Sequence, residues 1–214
     1  MAKERLKSGP RLRLFVALDL PDPFLDRVTG WQQEAFADRG DLRLTSRFSL
    51  HVTLVFLGYQ AERDVERIAE LAFSDDGGPF ELKATDVIEV PPRRPRLYAL
   101  ELEDGKEALG KWQAGLAERL QGAGLYEPEK RPFWPHLTIA RFKQTERHRT
   151  GGGARGGSRH AQRGPAGPPD ATPELPDELQ EAFKASRLTL YKSELRPQGA
   201  VYEPLARVQA DGAT

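Results

Sequence analysis

The chain has 214 residues, enough for one domain with a proper core or for two small intertwined lobes. Its 32 basic and 32 acidic residues give a formal net charge of +0, so no global field attracts nucleic acid or membranes, and any phosphate site must be local. The count of 0 cysteines excludes disulfides, thiolate metal sites and cysteine nucleophiles. No segment resembles a signal peptide or a membrane helix, so we expect a soluble, cytoplasmic protein.

In chain order, a run of apolar and β-branched residues predicts a strand over residues 11–20. Asp22, as an N-cap followed by proline, predicts a helix over 23–39 that ends at Gly40. Two short strands are predicted near 42–46 and 50–57. Helical spacing of apolar residues then predicts a second helix over 61–73.

The pattern repeats in the second half of the chain. Strands are predicted over 80–90 and 96–103, joined by the turn PPRRPR, whose arginines suit a charged hairpin turn better than an RNA contact. A helix over 105–122 and a strand that starts at His136, just after a proline, follow. Two last strands are predicted near 187–195 and 200–208. We therefore expect a single domain over 11–208, built from two similar lobes.

The segment over 147–173 is rich in glycine, proline and arginine and has almost no large apolar residue. It cannot bury enough surface to offset the entropy of ordering it, so we predict a disordered insertion. Its arginines can contact RNA phosphates, although a tolerated surface insertion is the simpler interpretation. His148 and His160 lie there and are assigned no role. Residues 1–10 and 209–214 are predicted to be flexible termini.

The four-residue pattern H-x-T-x occurs twice, as HVTL at 51–54 and HLTI at 136–139. Side chains alternate along a strand, so each histidine shares a face with the threonine two residues later while the apolar residues take the other face. If the two lobes pack with these faces together, two imidazoles and two hydroxyls meet in one groove. That grouping suits phosphodiester chemistry, with one imidazole as base, the other as acid, and hydroxyls on the phosphate oxygens.

Two alternatives compete with this interpretation. A single histidine on a strand is more often structural, and threonine is a good β-former by itself. The repetition of the whole pattern argues against that explanation, since two of only 4 histidines carry it. Metal binding is a poor alternative, because neither His51 nor His136 has carboxylate or thiolate partners nearby in sequence and a closed site takes about four ligands.

The paired motifs HVTL and HLTI, with the flanks RLFVALDLP, PHLTIARF and LYKSELRPQGAVYEPL, resemble the 2H phosphoesterase superfamily. The resemblance is greatest to its RNA 2′,3′-cyclic phosphodiesterases, also called LigT-like proteins or 2′-5′ RNA ligases. It implies an α+β, bilobal fold, in which two pseudo-repeated lobes of antiparallel sheet are flanked by helices and enclose an active-site groove.

The resemblance also implies an activity and a role for each motif residue. The enzyme would hydrolyse 2′,3′-cyclic phosphate ends of RNA to 2′-phosphates, without a metal or other cofactor. His51 would be the general acid and His136 the general base, while Thr53, Thr138 and Arg141 would hold the phosphate. The expected partners are RNA ends or small 2′,3′-cyclic nucleotides, with no membrane, and the fold requires no second subunit, so we expect a monomer.

Three points depend on the three-dimensional arrangement of the motifs. Strict alternation from His136 would turn Arg141 to the opposite face, so the strand must bend before it if that arginine is to contact phosphate. Phe133 and Trp134 are candidates for stacking on a base, whereas Phe48 is not assigned such a role. Two other functions remain open: 2′-5′ RNA ligation in the same groove, and a non-catalytic module that binds nucleotides or RNA ends.

Overall fold

The computed structural model describes residues 9–75, 77–143, 172–196 and 199–210. The predicted insertion over 147–173, except its last two residues, lies outside the described residues, as do most of the predicted flexible termini and both His148 and His160. Within the described ranges, no helix combines the length and apolar character needed to cross a membrane. The fold is α+β, with two antiparallel sheets and three α-helices among the described residues.

The first sheet joins the two ends of the chain. Its four strands are β1 (Arg11–Asp19), β3 (Val52–Ala61), β8 (Arg187–Arg196) and β9 (Gly199–Gln209), in the order β3-β1-β8-β9. Along β1, Leu14, Val16 and Leu18 belong to the hydrophobic core, whereas Phe15 and Ala17 alternate with them and face the opposite side. That opposite side is the face on which the first histidine lies.

The second sheet comes mainly from the middle of the chain. Its order is β2-β6-β5-β4-β7, with β2 at Leu42–Leu44, β4 at Phe80–Val90, β5 at Leu97–Glu103, β6 at His136–Phe142 and β7 at Phe183–Ala185. The expectation of two lobes is confirmed, but the lobes are not consecutive halves. β2 pairs with β6 rather than with its neighbours in sequence, and β8 and β9 complete the first sheet. β7 was not predicted, because three residues give too little periodicity.

The helices are shorter than their periodicity suggests. They are α1 (Asp22–Ala35), α2 (Val65–Ala72) and α3 (Ala108–Gly122). The predicted N-cap role of Asp22 is wrong: Asp22 is already helical, and its carboxylate accepts a hydrogen bond from Arg47 at 2.9 Å. The predicted end of this helix at Gly40 is also wrong, because the helix stops at Ala35 and a turn follows. At α3, Asp104 accepts hydrogen bonds from two main-chain N–H groups of the first turn.

Each strand that carries a motif has an extra residue at the last position of the motif, and β3 has a second extra residue further along, at Leu57. In β3, Ala17 pairs with Thr53 and Val16 with Val55, so Leu54 is bulged out of the ladder. In β6 the extra residue is Ile139, which lies between the paired residues Thr138 and Ala140. A β-bulge shifts the alternation by one residue, so side chains beyond it change face.

Both bulges at the motifs have their carbonyl groups satisfied from outside their own ladder. Gln113 on α3 donates a side-chain hydrogen bond to the Leu54 carbonyl at 3.1 Å. The main-chain N–H of Thr45 donates to the Ile139 carbonyl at 2.8 Å. Buried carbonyl groups cost free energy when they lack a donor, so these two contacts stabilise the irregular geometry at both sites.

A buried carboxylate connects β1 to β8. Asp19, whose side chain is 8% exposed, accepts hydrogen bonds from Arg187 at 2.9 Å, Thr189 at 2.8 Å and the Tyr191 hydroxyl at 2.9 Å. Three donors satisfy a carboxylate that would otherwise be costly to bury. The cluster thus holds the start of β8 against the end of β1.

We predict that Asp19→Ala destabilises the fold strongly, because it leaves the buried Thr189 hydroxyl and its neighbouring donors without an acceptor. The expected loss is about 2–4 kcal/mol of unfolding free energy, measured by urea denaturation. Asp38→Ala is the control, since Asp38 is exposed and the change there should stay within about 0.5 kcal/mol. A loss for Asp19→Ala no larger than that of the control would contradict the role of the cluster.

Candidate active site

The two motif strands lie side by side where the sheets approach each other. Cα atoms of β3 and β6 come within 8 Å, although the strands belong to different sheets. The pKa of His51 responds to the charges of both His136 and Arg141, so these three side chains share one electrostatic environment. The structure therefore brings together the two histidines and the arginine that the sequence singled out.

The main chain before each histidine acts on its imidazole. His136 makes a hydrogen bond through Nδ1 with the Trp134 carbonyl at 2.8 Å. The main chain of Ser49, likewise two residues before its histidine, raises the pKa of His51 and so opposes the effect of burial. Because the Trp134 carbonyl can only accept, it fixes the neutral His136 ring with Nδ1 protonated and leaves Nε2 with a free lone pair.

Aromatic rings pack against each imidazole. The His51 ring stacks on Phe15, with centroids 4.9 Å apart, and meets the edge of Tyr202 at 5.1 Å. The His136 ring stacks on Trp134 at 4.0 Å, with an interplanar angle of 14°. The indole Nε1 of Trp134 in turn donates a hydrogen bond to Glu101 at 2.8 Å. These contacts restrict the rotation of both catalytic candidates.

The two threonines occupy matching positions. Thr53 pairs with Ala17 in the first sheet and Thr138 pairs with Ala99 in the second. Both are partly exposed, on the same face as the histidine of their motif. Because each faces an alanine across the ladder, no large side chain of the paired position covers the hydroxyl.

The bulge at Ile139 explains how Arg141 lies on the same face of β6 as His136. Without it, alternation would place Arg141 opposite to His136; with it, Arg141 returns to the histidine face, and its charge acts on both imidazoles. The equivalent position in the first lobe is Phe56, and the guanidinium of Arg13 lies 4.4 Å from the centroid of its ring. Each lobe therefore has a cation near the position two residues after its bulge. In the second lobe this is Arg141 itself, and in the first it is Arg13, which packs on the ring of Phe56.

Burial sets the protonation of the two histidines. It lowers the pKa of His51 to about 4; the Asp19 carboxylate opposes the shift, and the charges of His136 and Arg141 add to it. Burial also lowers the pKa of His136, where the Trp134 carbonyl opposes the shift and Arg141 adds to it. Both imidazoles are thus neutral at neutral pH, and an anion bound between them would favour the imidazolium form.

The remaining predicted site residues are Phe133 and Trp134. Phe133 is partly buried and packs against the hydrophobic core, and Trp134 has one indole face on His136. Their predicted stacking on a base stays a prediction. Sequence reasoning missed Tyr191, Tyr202 and Glu101, whose approach to the histidines depends on strand pairing across long separations. In the described ranges, no three His, Asp or Glu side chains form a group that could hold a metal ion.

The bilobal fold, with one H-x-T-x strand in each sheet, is that of the 2H phosphoesterases. The chain belongs to the 2′-5′ RNA ligase superfamily, whose family model matches residues 20–150 and so includes both motifs.

Curated relatives match nearly the whole chain. An RNA 2′,3′-cyclic phosphodiesterase of Methanocaldococcus jannaschii is 26% identical over 199 residues, covering 90% of this chain and 97% of the relative. A protein of the same name from Methanothermobacter thermautotrophicus is 28% identical over 199 residues, covering 90% and 95%.

Solved structures share the fold. A protein of Thermus thermophilus has a TM-score of 0.72 at 23% identity, covering 95% of this chain and 100% of that one. Escherichia coli LigT, solved in complex with 3′-AMP, has a TM-score of 0.67 at 23% identity, covering 94% and 98%.

We predict that Trp134→Ala raises the pKa of His136 toward its ordinary value near 6.5, because it removes the indole that shields the ring from water. NMR titration of the histidine ring protons would measure the shift. Phe48→Ala is the control, since Phe48 is 88% exposed and should leave the titration unchanged. An unchanged or lower pKa in the Trp134 variant would show that the indole does not control the solvation of His136.

Proposed function

We propose that this protein hydrolyses 2′,3′-cyclic phosphodiester ends of RNA to 2′-phosphomonoesters, by general acid/base catalysis with two histidines and without a metal. The observation that carries the proposal is the meeting of two matched imidazoles, from separate sheets, beside one arginine. The names of the curated relatives, which match 90% of the chain, support the reaction.

His136 is the proposed general base. Its Nδ1 is engaged by the Trp134 carbonyl, so its Nε2 lone pair is free to take a proton from an attacking water. Trp134 and Glu101 hold the ring in place and act as positioning residues. In the proposed reaction, the activated water oxygen forms a bond to phosphorus while the bond from phosphorus to the 3′ oxygen breaks.

His51 is the proposed general acid, which donates a proton to the departing 3′ oxygen. This role needs the imidazolium form, which burial of the His51 ring disfavours. The cyclic phosphate carries a negative charge, so its arrival between the imidazoles raises the pKa of His51 and supplies the proton donor. Thr53, Thr138 and Arg141 would donate hydrogen bonds to the non-bridging oxygens and hold that charge in place.

The test is direct. An RNA oligonucleotide with a 2′,3′-cyclic phosphate end is incubated with the protein, with and without chelator, and 2′- and 3′-monophosphate products are resolved. We expect a chelator-resistant 2′-phosphate and a loss of at least about 100-fold in kcat for His51→Ala and for His136→Ala. A histidine variant with near-wild-type kcat would remove that residue from the mechanism.

A binding measurement with the same oligonucleotide, and a second incubation with donor and acceptor RNA halves, separate the two other functions. Binding of the RNA end without turnover would favour a non-catalytic module. Joining of two RNA halves through a 2′-5′ linkage, with little hydrolysis, would favour ligation, the reaction for which the superfamily is named.

We expect the two pH profiles to differ. The profile of kcat/KM reports the free protein, where both histidine pKa values are lowered, so its bell should lie below the ordinary imidazole pKa of about 6.5, with one limb near pH 4. As pH rises above 4, the free protein loses the His51 imidazolium; the bound anion raises that pKa, so the bell for kcat should lie at higher pH. Coinciding bells would mean that the substrate charge does not act on His51.

A further inference from the structure

A buried amide on α1 holds the segment that follows β2. Gln32 is 2% exposed and donates a hydrogen bond from Nε2 to the Thr45 carbonyl at 2.8 Å. Its other amide atom, Oε1, is buried and has no hydrogen-bond partner among the described residues. A buried polar atom without a partner costs free energy, and an apolar side chain of similar shape would avoid that cost. The glutamine at this position is therefore explained by the hydrogen bond that it donates.

The same segment supports the bulge of the second motif. The main-chain N–H of Thr45 donates to the Ile139 carbonyl at 2.8 Å, one position beyond the pairing of Leu44 with Ala140. The main chain of this one threonine therefore links Gln32 to Ile139, because its carbonyl accepts from α1 while its N–H donates to the bulge. A shift of this segment would act directly on the bulged backbone.

The helix that carries Gln32 is itself fixed to the second sheet. Phe24 on α1 stacks on Phe183 of β7, with ring centroids 3.9 Å apart. Phe36, just after the helix, packs against Tyr98 of β5 at 5.0 Å. All four rings are buried. A helix packed at both ends is a rigid support, so its amide holds the segment after β2 at a fixed distance from the sheet that contains the bulge.

The direction of Arg141 depends on the backbone of this bulge. Its side chain is exposed, and in the described part of the chain no hydrogen bond or ion pair holds its guanidinium. The bulge at Ile139 turns it to the face of His136. The His136 ring, in contrast, is held by a main-chain carbonyl and a stacked indole. A looser bulge would therefore misdirect the guanidinium and leave the imidazole in place.

We infer that Gln32 is a positioning residue, which acts through the bulge at Ile139 to direct Arg141 at the phosphate. The inference rests on the proposed function, because it takes Arg141 as a phosphate ligand, and it adds a residue of α1 to the site. Gln32 does not touch the phosphate, so its effect on phosphate binding should vanish when the guanidinium is absent. A general contribution to stability would be the same with or without that guanidinium.

Gln113 provides a matched control. Its amide donates to the Leu54 carbonyl at 3.1 Å, so it has the same side chain and the same kind of contact but supports the bulge of the first motif. The test is a double-mutant cycle on the Kd of inorganic phosphate, followed by the shifts of the histidine ring protons in NMR spectra.

We expect Arg141→Gln to weaken phosphate binding by about 10-fold and Gln32→Met to weaken it by about 5-fold. The double variant should stay within about two-fold of Arg141→Gln alone, because both changes remove the same contact. Any loss in Gln113→Met should instead multiply with that of Arg141→Gln. If Gln32→Met does not fold, Gln32→Asn replaces it with the same expected results, since its amide is one methylene too short to reach Thr45.

Independent losses for Gln32→Met and Arg141→Gln, or unchanged phosphate binding in Gln32→Met, would overturn the inference and leave the proposed function intact. If the wild-type protein neither binds phosphate nor hydrolyses the cyclic end, the proposed function fails, and hydrogen exchange of the Thr45 amide decides whether Gln32 supports the bulge. That exchange should be at least about 10-fold faster in Gln32→Met and unchanged in Gln113→Met. An unchanged rate in the Gln32 variant would overturn this support as well.

Discussion

The extra residue in each motif strand is the constraint on which the site depends. In a regular strand the histidine and the threonine of the motif would share one face, but the side chain five residues after the histidine would point toward the core. The bulges at Leu54 and Ile139 reverse that alternation, and the cation of Arg141 reaches the imidazoles as a result. An irregular backbone is stable only where its polar groups find partners, and here a helix side chain and a main-chain N–H supply them.

The electrostatics of the site follow from the same geometry. Two poorly solvated imidazoles lie within the electrostatic reach of the exposed Arg141, so the site disfavours further positive charge. A bound anion would relieve this repulsion and would also raise the pKa of the imidazoles, which favours their protonated form. In the proposed function, affinity for phosphate and readiness for acid catalysis would therefore be two consequences of one arrangement.

Much of the fold could be predicted from local pattern, because alternation and helical spacing depend on neighbouring residues. The strands that begin at Arg11 and His136 lie where the sequence places them. Local pattern cannot predict contacts between residues that are far apart in the sequence. Examples are the pairing of β2 with β6, the contact of Asp19 with β8, and the contact of Tyr202 with His51. The bulges could not be predicted from the sequence for a related reason. Two adjacent buried residues in a strand indicate a bulge only when the pairing with the partner strand is known.

The first sheet contains both ends of the described chain, and this has a consequence for synthesis. The ribosome synthesises a chain from its amino end, so β1 and β3 lack their partners β8 and β9 until late in translation. Until then His51 lacks Tyr191 and Tyr202, which surround its ring in the finished protein. A chain cut short by a stalled ribosome therefore carries both motifs without a complete first lobe.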